Sequence, residues 1–577
     1  MKSIFQTVKI NKPKSSNFNL SHDVCLSTDF FRITPLMLQK MMPGDRWRMF
    51  TELYIRMAPM LAPVMARCKA NVYNFFIPLR LLWDEYETFF TGGQSGQEEP
   101  EPPQVVVRPD FMKANPQFFG PGSLWDYLGY PVVTPDMTVN KELEIKVNPL
   151  PLLAYYKVWQ YYFADQNLEQ FDFSDLWTWP SGVQEIDDIE PDATTDGSKR
   201  AFTEVLKLRN ACWQKDYFTS ALPWPQRGQD VKLPIYGEAP VVRNPAGWGT
   251  DRLVNGPDGS HAPNGPLQNG LDGSFGSSGM IMVQGQAPGG GTSRPYHVSY
   301  DPGTNLQVDL EGATQSTINE LRRGFALQRF FEQSARVGWR FWEYLQGIWG
   351  VNNPDSRLQR PEFLGGGSTP VVIGEVLQTS QTTTGENGSP LGDMAGRGVA
   401  AGNRNGFAKF FSEPGYLITL MVVRPRSSYS QGFPKQLQLK DRYDEPNPYF
   451  AHLGEQEVKN GELYFDFNAH DVPNEAGENV SDNDKTFGYQ SRYSEYKYIP
   501  DGYHGDFRTT LKFWHLGRDF KSSPSLNSSF VTGSTDETNR IFAVKTENGE
   551  RLDHLWCQIH HNIKAKRPLP YYGTPRL

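Results

Sequence analysis

The sequence predicts a mainly β protein whose strands are separated by long, partly helical insertions, and three observations lead to that class. Period-two alternation of apolar and polar residues extends over as many as a dozen positions, the mark of strands with one buried face. The 577 residues include 53 glycines and 44 prolines, well above the roughly 12% of average usage, which favours turns and short strands over helical bundles. Strand candidates lie at both ends of the chain with most of the helix between them, so the strict strand-helix alternation of a parallel sheet is missing.

In chain order, the first strong signal is RWRMFTELYIRM from Arg46. Trp47, Met49, Thr51, Leu53, Ile55 and Met57 point one way; Arg46, Arg48, Phe50, Glu52, Tyr54 and Arg56 point the other. ARCKANV alternates likewise from Ala66, with Pro59 and Pro63 separating the two runs. Later strands are expected at 371–376, 416–423, 508–516, 541–545 and 554–563. Helices are expected at 150–162, 201–213 and 318–349, the last opening with Thr317 and Glu320 in the spacing of a capping box. Two stretches read as surface insertions: Gly92 to Gln104 with its glutamates, and a longer one at 237–302 crowded with Gly, Asn, Pro and Ser.

Several motifs invite a chemical reading and fail it. LGGGSTPVVI, around Gly365, lacks a lysine beside its hydroxyls, and Pro370 removes an amide donor, so it is read as a turn feeding a strand rather than a phosphate cradle. GRGVAAG at 396–402 has neither the preceding strand nor the following helix of a dinucleotide turn. In HLWCQIHH, a strand would put His554 and His560 on one face and Cys557 and His561 on the other, so a single tetrahedral metal centre cannot collect them. EIDDIEPD at 185–192 lacks the glycine and spacing of a calcium loop. No GxSxG elbow or HExxH pair occurs. The reading is therefore no catalytic residue, no metal and no cofactor.

Cys25, Cys68, Cys212 and Cys557 lie far apart and read as reduced thiols. The N-terminal MKSIFQTVKINKPKSSNFN builds no secretory h-region, and no apolar run approaches the roughly 18 residues that span a bilayer. These features predict a protein made in the cytoplasm without membrane insertion. The net charge of −8 argues against indiscriminate nucleic-acid binding, yet both ends are purely cationic. Lys2, Lys9, Lys12 and Lys14 precede the first acid, and Lys564, Lys566, Arg567 and Arg576 follow the last. With Tyr571 and Tyr572, they are the candidate contacts to a polyanion with unpaired bases.

A set of longer segments, in order, carries a family resemblance. They are ITPLMLQKMMPGDRWRMFTELYIRMAPMLAPVMARCKANVYNFFIPLRLLWDEYETFF, DYFTSALPWPQRG, SRLQRPEFLGGGS, LGDMAGRGV, EPGYLITLMVVRPRSSYSQG, FAHLGEQEV, GYQSRYSEYKYIPDG and AKRPLPYYGTP. Together they resemble the major capsid proteins of the Microviridae, small tailless single-stranded DNA phages, and in particular their gokushovirus-like branches. The resemblance implies a single eight-stranded antiparallel jelly roll, the viral capsid β-sandwich, spanning residues 1–577 with insertions between strands. The basic termini are taken as 1–21 and 562–577. It further implies pentamers closing into a T=1 icosahedral shell around circular single-stranded DNA, assembled in a bacterial cytoplasm. The implied partners are other copies of the chain, the packaged DNA, a small basic DNA-binding protein, minor virion or scaffold proteins, and a host surface receptor met through the 237–302 loop. Two competing readings are a secreted glycan-binding or glycan-cleaving β-sandwich, which should carry an export signal, and a phage spike, which should carry repeats or a coiled coil.

Overall fold

The alternation that begins at Arg46 folds as one continuous strand. In the computed structural model, Arg46–Met57 buries every second side chain from Trp47 to Met57 and turns the intervening ones outward. The structure describes residues 15–94, 97–171, 174, 176–186, 197–228, 359–377, 394–439, 442, 444–473, 479–543 and 552–572, with short strands and a helix within 241–336.

Nine strand segments build the main sheets: β1 (Ser16–Asn19), β2 (His22–Thr28), β3 (Thr34–Met41), β4 (Arg46–Met57), β5 (Cys68–Pro78), β6 (Glu362–Leu377), β7 (Met394–Phe410), β8 (Gly415–Pro425) and β9 (Leu555–Arg567). Their order is β1-β9-β4-β7-β6-β5-β8-β3, with β2 also on β9. All these pairings are antiparallel. The long β6 serves both halves, pairing β5 through residues 362–371 and β7 through 372–377. The strip thereby curls into two rows, β1/β2-β9-β4-β7 and β3-β8-β5-β6, whose inner faces pack together as a jelly-roll sandwich. β1 and β2 lie on β9 in one register, from Ser16 opposite Arg567 to Thr28 opposite Leu555.

Two apolar clusters fill the sandwich. One gathers Leu53, Ile55, Val72, Met421 and Ile559; the other gathers Trp47, Met49, Phe76, Leu417 and Ile563. Along each strand, the position between them is polar: Thr51, Asn74, Asn405, Thr419 and His561 are sealed from solvent. Pairing places His561 and Asn405 beside Thr51, and Thr419 beside Asn74. Hydrogen bonds satisfy much of this layer. Thr51 Oγ1 lies 3.0 Å from His561 Nδ1. Thr419 Oγ1 donates to Asn74 Oδ1 over 2.8 Å, and Asn405 Nδ2 donates to the Thr51 carbonyl over 3.3 Å.

The two rows differ in what covers their outer faces. On β8, Tyr416, Ile418, Leu420 and Val422 leave the sandwich on its far side and pack against the insertion that follows β5, which includes α1 (Leu150–Tyr162), Val105 and Trp125. With both faces covered, β8 is apolar almost throughout. The β1/β2-β9-β4-β7 row alternates instead, and among the described residues nothing packs over its outer face.

Several expectations need correction. The glycines read as a turn lie inside β6, where Gly366 pairs with Tyr73. A Cβ on Gly366 would stand 2.0 Å from the Val72 carbonyl oxygen, so the missing side chain permits strand approach rather than a bend. α2 (Gly197–Leu206) ends well before Trp213, because Ala211 and Trp213 donate their amides to the Phe31 and Val531 carbonyls. The strand expected at 508–516 is two short 3₁₀ turns, Gly505–Arg508 and Lys512–Trp514, held by local bonds from Thr509 and Leu511 to the Asp506 carbonyl. At 541–545, Phe542 forms a single bridge to Met60, and residues from 544 lie outside the described residues. The long central helix, α3 (Ile318–Arg336), is followed by residues outside the described set.

Residues 226–334 form a second compact unit. It holds a three-stranded sheet of Val254–Asn255, Pro295–Val298 and Met282–Gln284, a ladder of Val241–Arg243 with Leu306–Val308, and most of α3. Most of the insertion expected at 237–302 lies outside the described residues. Among the described residues, no helix is long and apolar enough to cross a membrane.

Candidate nucleic-acid interface

The open face of the first row collects the outward residues of four strands. Strand alternation fixes which side chains emerge, and antiparallel register fixes which of them meet. Across the β9-β4 seam, Lys566 lies opposite Arg46, Lys564 opposite Arg48, Asn562 opposite Phe50, His560 opposite Glu52, Gln558 opposite Tyr54 and Trp556 opposite Arg56. On the other side of β4, Arg46 faces Phe410, Arg48 faces Ala408, and Phe50 faces Gly406. β1 adds Asn17 beside Lys566 and Asn19 beside Lys564.

The face is cationic at one end and aromatic along its length. Arg46 lies over the Phe410 ring at 5.8 Å, Arg48 over Phe50 at 5.2 Å and Arg56 over Tyr54 at 5.3 Å. Phe50, Phe410 and Trp556 remain 40%, 53% and 48% exposed. Among the described residues, none of Arg46, Arg48, Arg56, Lys564 and Lys566 has a carboxylate partner. Two acids interrupt the middle: Glu52, and Asp23, whose Oδ1 lies 2.8 Å from His560 Nδ1. At the cationic end, a groove of about 850 Å³ runs between Asn17, Asn19, Arg46, Arg48, Phe410, Lys564 and Lys566. Such a surface can neutralise phosphates and offer ring faces in the same place.

The residues singled out in the sequence fare differently. Lys2, Lys9, Lys12, Lys14 and Arg576 lie outside the described residues. Lys564 and Lys566 stand on the open face; the expected basic terminus from 562 is, as far as Arg567, the last part of β9. Arg567 turns away from the groove, its guanidinium over Trp47 at 5.0 Å and its Nε 3.5 Å from Asp45 Oδ2. Tyr571 stacks on Phe18 with centroids 5.8 Å apart, and Tyr572 meets Tyr571 edge-on at 4.8 Å. Alternation had already placed Arg46, Arg48, Phe50, Tyr54 and Arg56 outward. Their union with β9 and Phe410 depends on pairings several hundred residues apart in sequence, which no local pattern carries.

Of the HLWCQIHH residues, Cys557 and His561 share the buried face of β9 and His560 lies on the outer one, as their alternation implied, but His554 precedes the strand and is buried instead of sharing the outer face with His560. His554 Nδ1 sits 2.9 Å from Asp29 Oδ1, and its ring stacks on Phe542 at 4.3 Å. Burial pushes the Cys557 thiol up to about 12, which makes it an inert core residue. Burial, reinforced by neighbouring His22, pushes His561 down to about 4. Among the described residues, no group of three or more His, Cys, Asp or Glu could hold a metal ion.

Comparison with known proteins gives one consistent result. The family model described as "Capsid protein (F protein)" matches residues 3–577. The capsid protein VP1 of Bdellovibrio phage phiMH2K is 33% identical over 97% of this chain and 95% of that protein. Its counterpart from Chlamydia phage 1 is 31% identical over 100% of this chain and 98% of its own length. That of Spiroplasma virus 4 is 28% identical over 99% and 97%.

Proposed function

Because this chain belongs to the phage capsid protein (F protein) family, we propose that it assembles through pentamers into a closed T=1 icosahedral shell around a circular single-stranded DNA genome. As a capsid protein, it is a structural component of the virion. The observation that carries the proposal is coverage: the family model matches residues 3–577, and the three relatives match over 97–100% of this chain and 95–98% of their own length.

Physical features support the finer reading. A jelly roll closes its strands into two packed rows and leaves insertions free to meet neighbours. Heterologous patches on identical copies then close around rotation axes. The row that stays uncovered is the one bearing Lys564, Lys566, Arg46 and Arg48, and it would face the packaged DNA. Each subunit carries a net charge of −8, so these cations cannot balance the enclosed phosphates, and counterions or a small basic protein complete the neutralisation. The glycine- and asparagine-rich insertion at 237–302 would lie outside, in reach of a host receptor.

Electron micrographs and sedimentation of the expressed chain test the proposal. Uniform hollow or filled shells, cut by protease first within 237–302, are expected. A persistent monomer under all assembly conditions would refute it.

A further inference from the structure

We infer that the open face of the β1/β2-β9-β4-β7 row is a stacking platform for single-stranded nucleic acid, holding phosphates at its Lys564 end and unpaired bases along Phe410, Phe50, Tyr54 and Trp556. The inference rests on the proposed shell only for bringing this face to a genome; the binding chemistry is argued from the face itself.

Three observations carry it. First, the cations at the Lys564 end are available. Arg46, Arg48, Lys564 and Lys566 form two opposed pairs across the β9-β4 seam without a carboxylate partner among the described residues. Four like charges this close repel one another, and a bound polyanion removes that cost. Second, large aromatic rings stand half exposed where solvent-facing strand positions ordinarily carry polar groups. Each of Phe410, Phe50 and Tyr54 has a guanidinium over it, and a base can stack on either a ring or a guanidinium plane. Third, β7 sets Gly406 and Ala408 beside Phe50 and Arg48, and the Phe50 ring is seated over Gly406, where a Cβ would stand 2.5 Å from its Cδ1.

The ligand class follows from these features. Ring faces can stack only on bases that are not already stacked and paired, so duplex is disfavoured. Asn17, Asn19, Asn562 and Gln558 present amide donors and acceptors to any base edge, which gives no sequence preference. Glu52 and Asp23 interrupt the positive field midway, so phosphate contacts concentrate at the Lys564 end. From Arg46 to Arg56 the platform is roughly 33 Å long, room for several nucleotides, within the site sizes of about 4–16 seen for sheet-based single-strand binders.

The test is fluorescence anisotropy of the full-length chain with labelled oligo-dT, an RNA of the same length, and a DNA duplex across a salt series. Tighter binding of oligo-dT than duplex is expected. Phe50→Ala with Trp556→Ala should lose roughly thirtyfold or more in oligo-dT affinity and keep the salt slope, whereas Phe50→Tyr with Trp556→Phe should retain affinity. Lys564→Ser with Lys566→Ser should lower the salt slope by about 1.4. Equal affinity for duplex, or unchanged affinity in the alanine pair, overturns the inference, as does RNA binding that ignores both substitutions. Shells that form normally from a chain with no oligo-dT affinity count against the platform alone; ring-dependent binding by a chain that forms no shells sustains it and removes the proposed shell assembly.

Discussion

His561 shows how much one side chain can matter inside this sandwich. It sits between two apolar clusters with Thr51 on Nδ1 and the His22 ring 5.1 Å away, so its charged form is excluded until about pH 4. An unfolded chain takes up that proton near pH 6.5. Stability is therefore complete above about 6.5 and falls as pH drops through the window down to about 4, by roughly 3 kcal/mol at the acid end. Urea midpoints measured between pH 7 and 4 should decline less in His561→Gln, whose amide gains no proton. Parallel declines in the two proteins would show that the imidazole is not the titrating group. The buried polar layer around it also penalises register slips, since a one-residue shift would carry Thr51, Asn74 and Asn405 out of reach of their partners.

At the scale of elements, the strands depend on close backbone approach as much as on side-chain pattern. β6 joins the two rows, and its first half pairs with β5 only because Gly366 has no Cβ to strike the Val72 carbonyl oxygen. Gly366→Ala should open that pairing and lower the thermal midpoint by several degrees or abolish soluble expression. Gly374→Ala, later in the same strand and with nothing within 4 Å of its Cβ position, should leave the midpoint within about a degree. Differential scanning of the two variants separates steric approach from a general intolerance of β6 to substitution. α1 makes the complementary point: its side chains from Leu150 to Gln160 are all buried, because the helix is clasped between β8 and the rest of its insertion.

For the whole molecule, what remains exposed is as informative as what is buried. Phe467, Tyr449 and Ile499, in the long insertion between β8 and β9, are 91%, 90% and 83% exposed. An isolated subunit gains nothing from these, whereas a neighbouring copy would cover them. Phe467→Asp with Ile499→Asp should leave the unfolding midpoint unchanged and shift sedimentation from shells toward small species; undiminished shell yield would exclude this surface from the contacts.

Local pattern was enough to read the β class, the β4 alternation residue by residue, α1 from end to end, the opposite faces of His560 and the Cys557–His561 pair, and, through resemblance, the family. These are properties of local period or of long matched segments, so no distant contact is needed to read them. Tertiary structure decided the rest. It placed the three glycines inside a strand, cut α2 short by giving Ala211 and Trp213 β partners, turned Arg567 onto Trp47, and set Lys564 and Lys566 beside Arg48 and Arg46. Each of those outcomes depends on which remote strand supplies the facing hydrogen bonds, and that choice is made by the packing of the two rows rather than by any neighbour along the chain.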